Sequence, residues 1–383
     1  PNFRFNNHAL HFDAAKFGPW LWENYCKPRG VRRIVDDVVN IETGPNGVEW
    51  LDLAGGDRIK ADLFIDCTGF KSLLLEQNLK VPFIDVSNVI PNNMAWATHV
   101  PYNDKEKELQ SFTDCTAYNN GWIWNIPLWS KIGTGYVFSD RFISPDDALV
   151  EFKDYIRRMG RDPETLTYKK IPIRNGYHEK IWEKNVVAIG LAAGFIEPLE
   201  STGLFFTDEF AYSLLRILYR GAPLSQWDQD CFNKNWEMQF KQTCNFVAMH
   251  YALSARRDTP YWRSIAATKY NIEEHFIAAS YNFTERFYST WPGINCITNG
   301  FHYHFYDDTH VYMHTFPKSP QWREFYKNDF DLFDVQYQSW KAQAEKAPKM
   351  IDVLRQIHGE VLEPIQEEKE SDDIANVTTP TVS

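Results

Sequence analysis

The stretch NVVAIGLAAGFIEPLESTGLFF at 185–206 constrains this chain more than any other. A short β-branched run, a glycine among small residues and then a helical apolar repeat at Phe205, Phe206, Phe210, Leu214 and Leu218 specify strand, turn and helix, with Gly221 and Pro223 ending the helix. The helix needs a sheet to pack on. A turn of small residues lets a dinucleotide approach the backbone and meet its amides. A second apolar run, Leu63 to Cys67 in DLFIDCTGF, reads as a buried strand with Thr68 and Gly69 at its carboxyl end, where an open α/β sheet leaves room for a ligand. The two units predict an α/β fold.

Around them, Asp13 is positioned to cap a helix over Lys16 to Cys26 that ends near Pro28 and Gly30, and VRRIVDDVVNIETGPNGVEWLDL reads as a β-meander turned at Asn46 and Gly47. From Val81 to Tyr168 the pattern is mixed, with aromatic-rich strands at Trp122 to Ser139 and an amphipathic helix at Pro145 to Met159. Helical periodicity dominates from Trp227, and Glu367 to Ser383 reads as a frayed tail. The expected organisation is 1–80 in a first α/β part, 81–175 an inserted mixed-sheet substrate region, 176–222 the return of the first part, 223–366 mainly helical and 367–383 flexible. The opening PNFRFNNHALHFDAAKF has no initiator methionine and no leader pattern, so an upstream segment is expected.

Composition narrows the function classes. With 383 residues, 44% hydrophobic and 24% charged, the chain can bury a large core, and no run of about 18 apolar residues is present to span a membrane. The net charge of -11 and the scattered Lys and Arg argue against a nucleic-acid partner. The 14 Trp, 19 Tyr and 27 Phe either thicken a core or line a pocket for a flat ligand. Six cysteines without a C-x-x-C pair indicate reduced thiols in a cytoplasmic protein and no zinc site. His302 and His304 alternate as strand neighbours do; they read either as partly solvated histidines or, with Asp307, as metal ligands, and no metal is expected.

Two further motifs carry chemistry. In EPLESTG, Ser201, Thr202 and Gly203 stand where a helix begins, so its free amides and positive dipole end form a place for a halide-sized anion. The same residues also fit ordinary capping, and Glu200 fits either a base or a solvated first-turn acid. In GWIWNIP, Trp122 and Trp124 point to the same side of a strand that Pro127 ends, forming either a cavity wall or core packing.

Taken together, W-x-W-x-I-P at 122–127, GLAAGFIEPLESTG at 190–203 and HYALSARRDTPYW at 250–262 resemble the flavin-dependent tryptophan halogenase family; HFDA, VDDVV, DLFIDCTGF and SDRFISP extend the resemblance over roughly residues 8 to 265. The resemblance implies an FAD-binding Rossmann-like domain of the glutathione-reductase type. It also implies that reduced FAD, supplied by a separate flavin reductase, forms a C4a-hydroperoxide with O2, and that a bound halide becomes hypohalous acid for a small electron-rich aromatic. Carried over, Thr202 and Gly203 would bind halide, and Ser201 would lie between flavin and tunnel. Leu191 and Leu204 would touch the flavin, and Val38 its adenine end. Glu200 would take the ring proton, while Trp122, Trp124 and Pro127 would separate the chambers. Leu191 stands where flavin hydroxylases have the acid of G-D-A, which argues against the aromatic monooxygenase alternative; a cofactor-free binding module is the other. The family's G-x-G-x-x-G turn and its lysine belong upstream of HFDA, and Lys71 is not that lysine. Beyond Tyr270 the family's substrate-gripping residues have no match, so tryptophan, indole and similar rings stay open, as does a homo-oligomer.

Overall fold

A computed structural model describes residues 10–252, 254, 256–270, 335, 338, 339 and 341–359 of the chain, which divides into two compact units, Pro1–Phe325 and Tyr326–Ser383. In the first unit the Asp13 carboxylate accepts the Ala15 N–H and starts α1 (Ala14–Leu21); a wider turn, Trp22–Cys26, and a left-handed Gly30 finish it. The expected meander follows as β1 (Val38–Gly44), β2 (Gly47–Leu53) and β3 (Arg58–Ile59), antiparallel throughout. Gly47, at φ +115°, closes its tight first turn.

Strand β4 (Phe64–Asp66) then enters the core, and its last residue organises what comes next. The buried Asp66 carboxylate accepts the Thr68 N–H and hydroxyl at 3.0 and 2.6 Å on one oxygen, and the Leu74 and Leu75 N–H groups at 2.8 and 3.0 Å on the other. The acid of DLFIDCTGF thus satisfies the free amides of the following turn.

The chain leaves this sheet through β5 (Phe83–Asp85), β6 (Met94–Val100), the short α2 (Lys105–Glu108), β7 (Asp114–Tyr118), β8 (Gly121–Pro127) and β9 (Ile132–Phe138). Helix α3 (Pro145–Arg158) follows, capped by Ser144 accepting the Asp147 N–H, and then β10 (Lys169–Pro172). Strands in the order β10-β6-β9-β8-β7 make a five-stranded antiparallel sheet, and α3 sets Ala148, Phe152 and Ile156 against its Ile123, Tyr136 and Phe138. Next come β11 (Gly176–His178), β12 (Trp182–Glu183) and β13 (Val186–Ala188). Strand β13 lies parallel to β4, Val186 opposite Phe64 and Ala188 opposite Asp66, so the first sheet resumes after more than a hundred intervening residues. A right-handed crossover normally carries such a parallel pair.

After β14 (Gly194–Phe195) the chain enters α4 (Thr202–Tyr219), α5 (Gln226–Ala252) and α6 (Pro260–Ala267). The apolar stripe of α4 is narrower than the sequence pattern implies: Phe206, Phe210 and Leu214 are buried, while Phe205 is 42% and Leu218 40% exposed. Each step of four residues turns about 40° on a 3.6-residue helix, so Phe206, Phe210 and Leu214 stay in the core while Leu218 drifts out of it, and Phe206 and Phe210 meet Trp236 of α5 edge-on at 5.6 and 5.1 Å. Most of the largest buried side chains, including Trp182, Trp236, Tyr136 and Tyr261, are core aromatics, so much of the aromatic content is packing. The second unit contains a helix at Met350–Ile357. Among the described residues no helix is long and apolar enough to cross a membrane. His302, His304, Asp307, the segment from 271 and the tail at 367–383 lie outside the described residues.

Candidate functional site

The carboxyl end of β13 runs into a tight turn, Gly190–Ala192, where Gly190 takes φ +70°, and β14 leads on to the turn Pro198–Glu200. Ser201 follows at φ 56° and ψ 27°, a left-handed conformation for a residue with a side chain, and α4 starts at Thr202. Ser201 makes no side-chain cap bond. Ser201 is therefore not an ordinary serine cap, and the first amides of α4 stand without its side chain at the positive end of the helix dipole.

These elements enclose a cavity of about 240 Å³ lined by Leu191, Thr202, Gly203 and Leu204 together with Gly190, Phe195 and Phe240. It is smaller than the roughly 300–1,000 Å³ of pockets that enclose a drug-sized ligand, so it suits a ring or an anion. Leu191 and Leu204 are 42% and 62% exposed, which leaves apolar faces open for a flat partner beside polar backbone. A larger groove of about 780 Å³, lined by Tyr212, Arg216, Tyr219 and Asn235, lies along α4 and α5 without the motif residues. The smaller cavity is the candidate site because Leu191, Thr202, Gly203 and Leu204 line it and not the larger groove.

Glu200 Oε1 lies 2.9 Å from His250 Nε2, each side chain about one-third exposed, so a carboxylate and an imidazole meet beside this turn. His250 lies in HYALSARRDTPYW, yet no spacing in the sequence links it to Glu200 across fifty residues.

Gly203 has room for a methyl group: a Cβ built there comes no nearer than 3.8 Å to Phe195 Cε2, and the residue is not in the left-handed region. The left-handed backbone at this turn belongs to Ser201 instead.

Trp122 and Trp124 project to the same side of β8, with ring centroids 6.0 Å apart. Trp122 is buried in the main core, and Trp124 packs half-buried against it. Gly135 on β9 faces the Trp124 ring so closely that a Cβ there would sit 2.1 Å from its Cη2, so the glycine is required for the ring's position. Pro127 is the last residue of β8 and is buried. Val38 begins β1, and neither it nor the two tryptophans line the 240 Å³ cavity. Lys71, exposed in a separate turn, does not line it either. Among the described residues no His/Cys/Asp/Glu group is arranged to hold a metal, and the five described cysteines are unpaired.

A parallel strand pair, a glycine turn at its carboxyl end and the helix that follows place this chain among the α/β proteins that leave room for a ligand beyond their strand ends. The tryptophan halogenase family profile matches residues 3–342, and the chain belongs to that family. It is 37% identical over 259 residues to tryptophan 7-halogenase RebH of Lentzea aerocolonigenes, covering 67% of this chain and 48% of that protein. It is 34% identical over 265 residues to tryptophan 6-halogenase ThaL of Streptomyces albogriseolus, covering 68% and 49%. The chain thus spans about half the length of these curated relatives. Among solved structures, apo VirX1 superposes with a TM-score of 0.76 at 34% identity, covering 91% of this chain and 69% of that one. BrvH, a flavin-dependent halogenase from Brevundimonas sp. BAL3, gives 0.66 at 32%, covering 76% and 59%. The fold is accordingly the Rossmann-like α/β fold of the FAD-dependent halogenases.

Proposed function

We propose that this chain carries the halide-facing and substrate-facing part of a halogenase that uses reduced FAD and O2 to halogenate a small electron-rich aromatic such as tryptophan or an indole. The observation that carries this reading is that Thr202 and Gly203, the first residues of α4, line one cavity with Leu191 and Leu204, directly after a left-handed Ser201 and the Glu200 carboxylate, which do not line it themselves.

The residues present fit a flavin ring: the exposed faces of Leu191 and Leu204 offer an apolar surface, and Gly190 keeps the backbone clear of side-chain bulk. When bound there, reduced FAD would supply the activated oxygen that oxidises the halide. Val38, at the edge of β1, remains our assignment for contact with the adenine end. The Thr202 and Gly203 amides bind the anion, because a helix N-terminus concentrates unpartnered N–H donors and partial positive charge. Ser201 sets the approach to both. Glu200 accepts the proton that an attacked ring must lose: His250 engages Oε1, which leaves Oε2 to face the ring and disperses the acquired proton. Trp122 and Trp124, rigidly packed with Pro127 at the strand end, serve as the barrier between substrate and oxidant. A separate flavin reductase supplies the electrons, and cytoplasm is the compartment that matches reduced thiols.

The test is direct. The intact protein is mixed with photoreduced FAD, oxygen, bromide and a panel of indoles, and products are read by mass spectrometry for the bromine isotope pattern. A brominated ring is expected; a hydroxylated product without any halogenated one would overturn the reading in favour of a monooxygenase, and a colourless protein that retains no flavin in favour of a binding module.

A further inference from the structure

Three residues before Glu200, Glu197 is fully buried at the start of the same turn. Its carboxylate accepts Asn92 Nδ2–H at 2.8 Å and the Tyr251 hydroxyl. Asn92 also donates to the Tyr251 oxygen at 2.8 Å and accepts the Tyr261 hydroxyl at 3.0 Å. The Glu197 N–H donates to Asn175 Oδ1 at 2.8 Å, and Asn175 Nδ2 in turn donates to the carbonyls of Ile90 and Asn92 at 3.1 and 2.6 Å. Trp122 Nε1 is buried without a hydrogen-bond acceptor, and this indole N–H is among the groups that favour the ionised Glu197 carboxylate. One residue and its network therefore join the 90–92 segment, the Asn175 loop, α5 and α6 at the start of the turn.

A core gains nothing in stability from such a group, since an apolar replacement of similar volume is commonly neutral or better. Buried networks with every member satisfied do fix one arrangement of the segments they join. We infer that Glu197 is a positioning residue: by clamping the start of the Pro198–Glu200 turn, it sets where the Glu200 carboxylate and the Thr202 and Gly203 amides point, and couples that turn to α5 and α6. The inference rests on the proposed halogenase reading for its catalytic consequence, though the clamp itself does not.

Titration sharpens the test. Burial pushes the Glu197 carboxyl up to about 7, opposed by hydrogen bonds from Tyr251 and Asn92 and by the charge of His250. The polar and titratable groups facing it are Tyr251 and His250 from α5, Tyr261 from α6, Tyr270 beyond α6, Trp122 from β8, and Asn92. Protonation makes the carboxyl a donor and leaves one of its present donors without an acceptor, so the clamp is complete above about pH 7 and loosened below it.

In the intact protein with photoreduced FAD, oxygen and bromide, Glu197→Gln is expected to lower kcat about tenfold or more with the aromatic KM changed by less than about twofold. It is also expected to erase an inflection near pH 7 in the wild-type kcat profile. Tyr251→Phe removes one hydrogen bond to the ionised form and should move that inflection upward. Wild-type kcat and pH profile in a folded Glu197→Gln protein would overturn the inference; should that variant not fold, Tyr251→Phe with an unmoved inflection overturns it equally. Hydrogen exchange of the 194–206 segment, read without substrate, separates this from the halogenase reading. Faster exchange at Ser201 to Leu204 in either folded variant supports the clamp even if the wild type halogenates nothing, and unchanged protection refutes it whatever the activity.

Discussion

At Ser201 a residue with a side chain occupies the left-handed region, which costs roughly 1–2 kcal/mol for anything but glycine. Backbone strain of this kind persists where surrounding structure over-determines it, and here it turns Glu200 one way and the α4 amides another. Gly203, two residues on, is unstrained, and this makes it the cleaner probe. Gly203→Ala should leave the fold intact and stabilise α4 by about 0.5–1 kcal/mol through helix propensity, since the added methyl meets only an ordinary contact with Phe195. Where the halide binds, the same methyl obstructs the anion, so the halide KM should rise far more than in Thr202→Ala while peroxide leaks from the unused oxidant. Halide titration, peroxide release and thermal unfolding of both variants check this; equal halide dependence rules out the turn as the anion site. Glu200→Gln keeps the cavity but removes the proposed proton acceptor. Flavin binding should persist and halogenation should fall by about 10²- to 10⁴-fold, measured by single-turnover product formation.

Among the elements, β4 and β13 decide whether the site exists, because the glycine turn hangs from one and the Asp66 clasp from the other. Asp66→Asn keeps the shape of the side chain but replaces one acceptor oxygen by an amide that faces N–H donors. It should destabilise the protein by about 2–4 kcal/mol in urea unfolding, a loss that a surface Asp→Asn change would not produce. The local patterns were legible in the sequence: the Asp13 cap, the meander turned at Gly47, and the helices from Pro145 and Thr202 all follow from spacing and turn residues within one element. Leu191, Thr202, Gly203 and Leu204 also gather at one cavity, as their neighbourhood in the chain implies. What spacing could not show depends on long-range partners. Asp66 reads as one letter of a strand-end motif until Leu74 and Leu75 fold back on it. His250 has no local sign of meeting Glu200, and Asn92 stands 105 residues from the carboxylate it supports. The two tryptophans read as a wall or as packing, and Trp122 is buried in the core with its N–H lacking a hydrogen-bond partner.

For the molecule as a whole, these buried and paired carboxylates set opposing pH dependences. Glu76 is held below its usual range first by its hydrogen bond to Arg174, whose guanidinium lies 2.6 Å away, so it contributes stability above about pH 4.5 that is lost as pH falls. Asp228, lowered first by the Ser225 hydroxyl and then by Arg220, acts in the same direction from the usual aspartate value. Glu197 does the reverse. Its folded value, about 7, exceeds the ordinary 4.5, so between those limits the unfolded chain releases a proton that the folded chain keeps, and stability declines as pH rises. Across that window the decline amounts to roughly 3 kcal/mol and stops above about pH 7, where both states are ionised. His99, lowered by burial and then by Lys131, opposes this slope below its ordinary 6.5, so the wild-type curve alone does not isolate Glu197. The difference between wild type and Glu197→Gln does, because His99, Glu76 and Asp228 are common to both. Unfolding free energies taken by urea titration at several values from pH 4.5 to 8 should show the variant gaining on the wild type by about 3 kcal/mol up to pH 7 and then running parallel to it. A constant difference over the whole range would mean that the Glu197 carboxyl ionises in the folded protein as it does in water, and that Asn92 and Tyr251 hold it as an ordinary carboxylate.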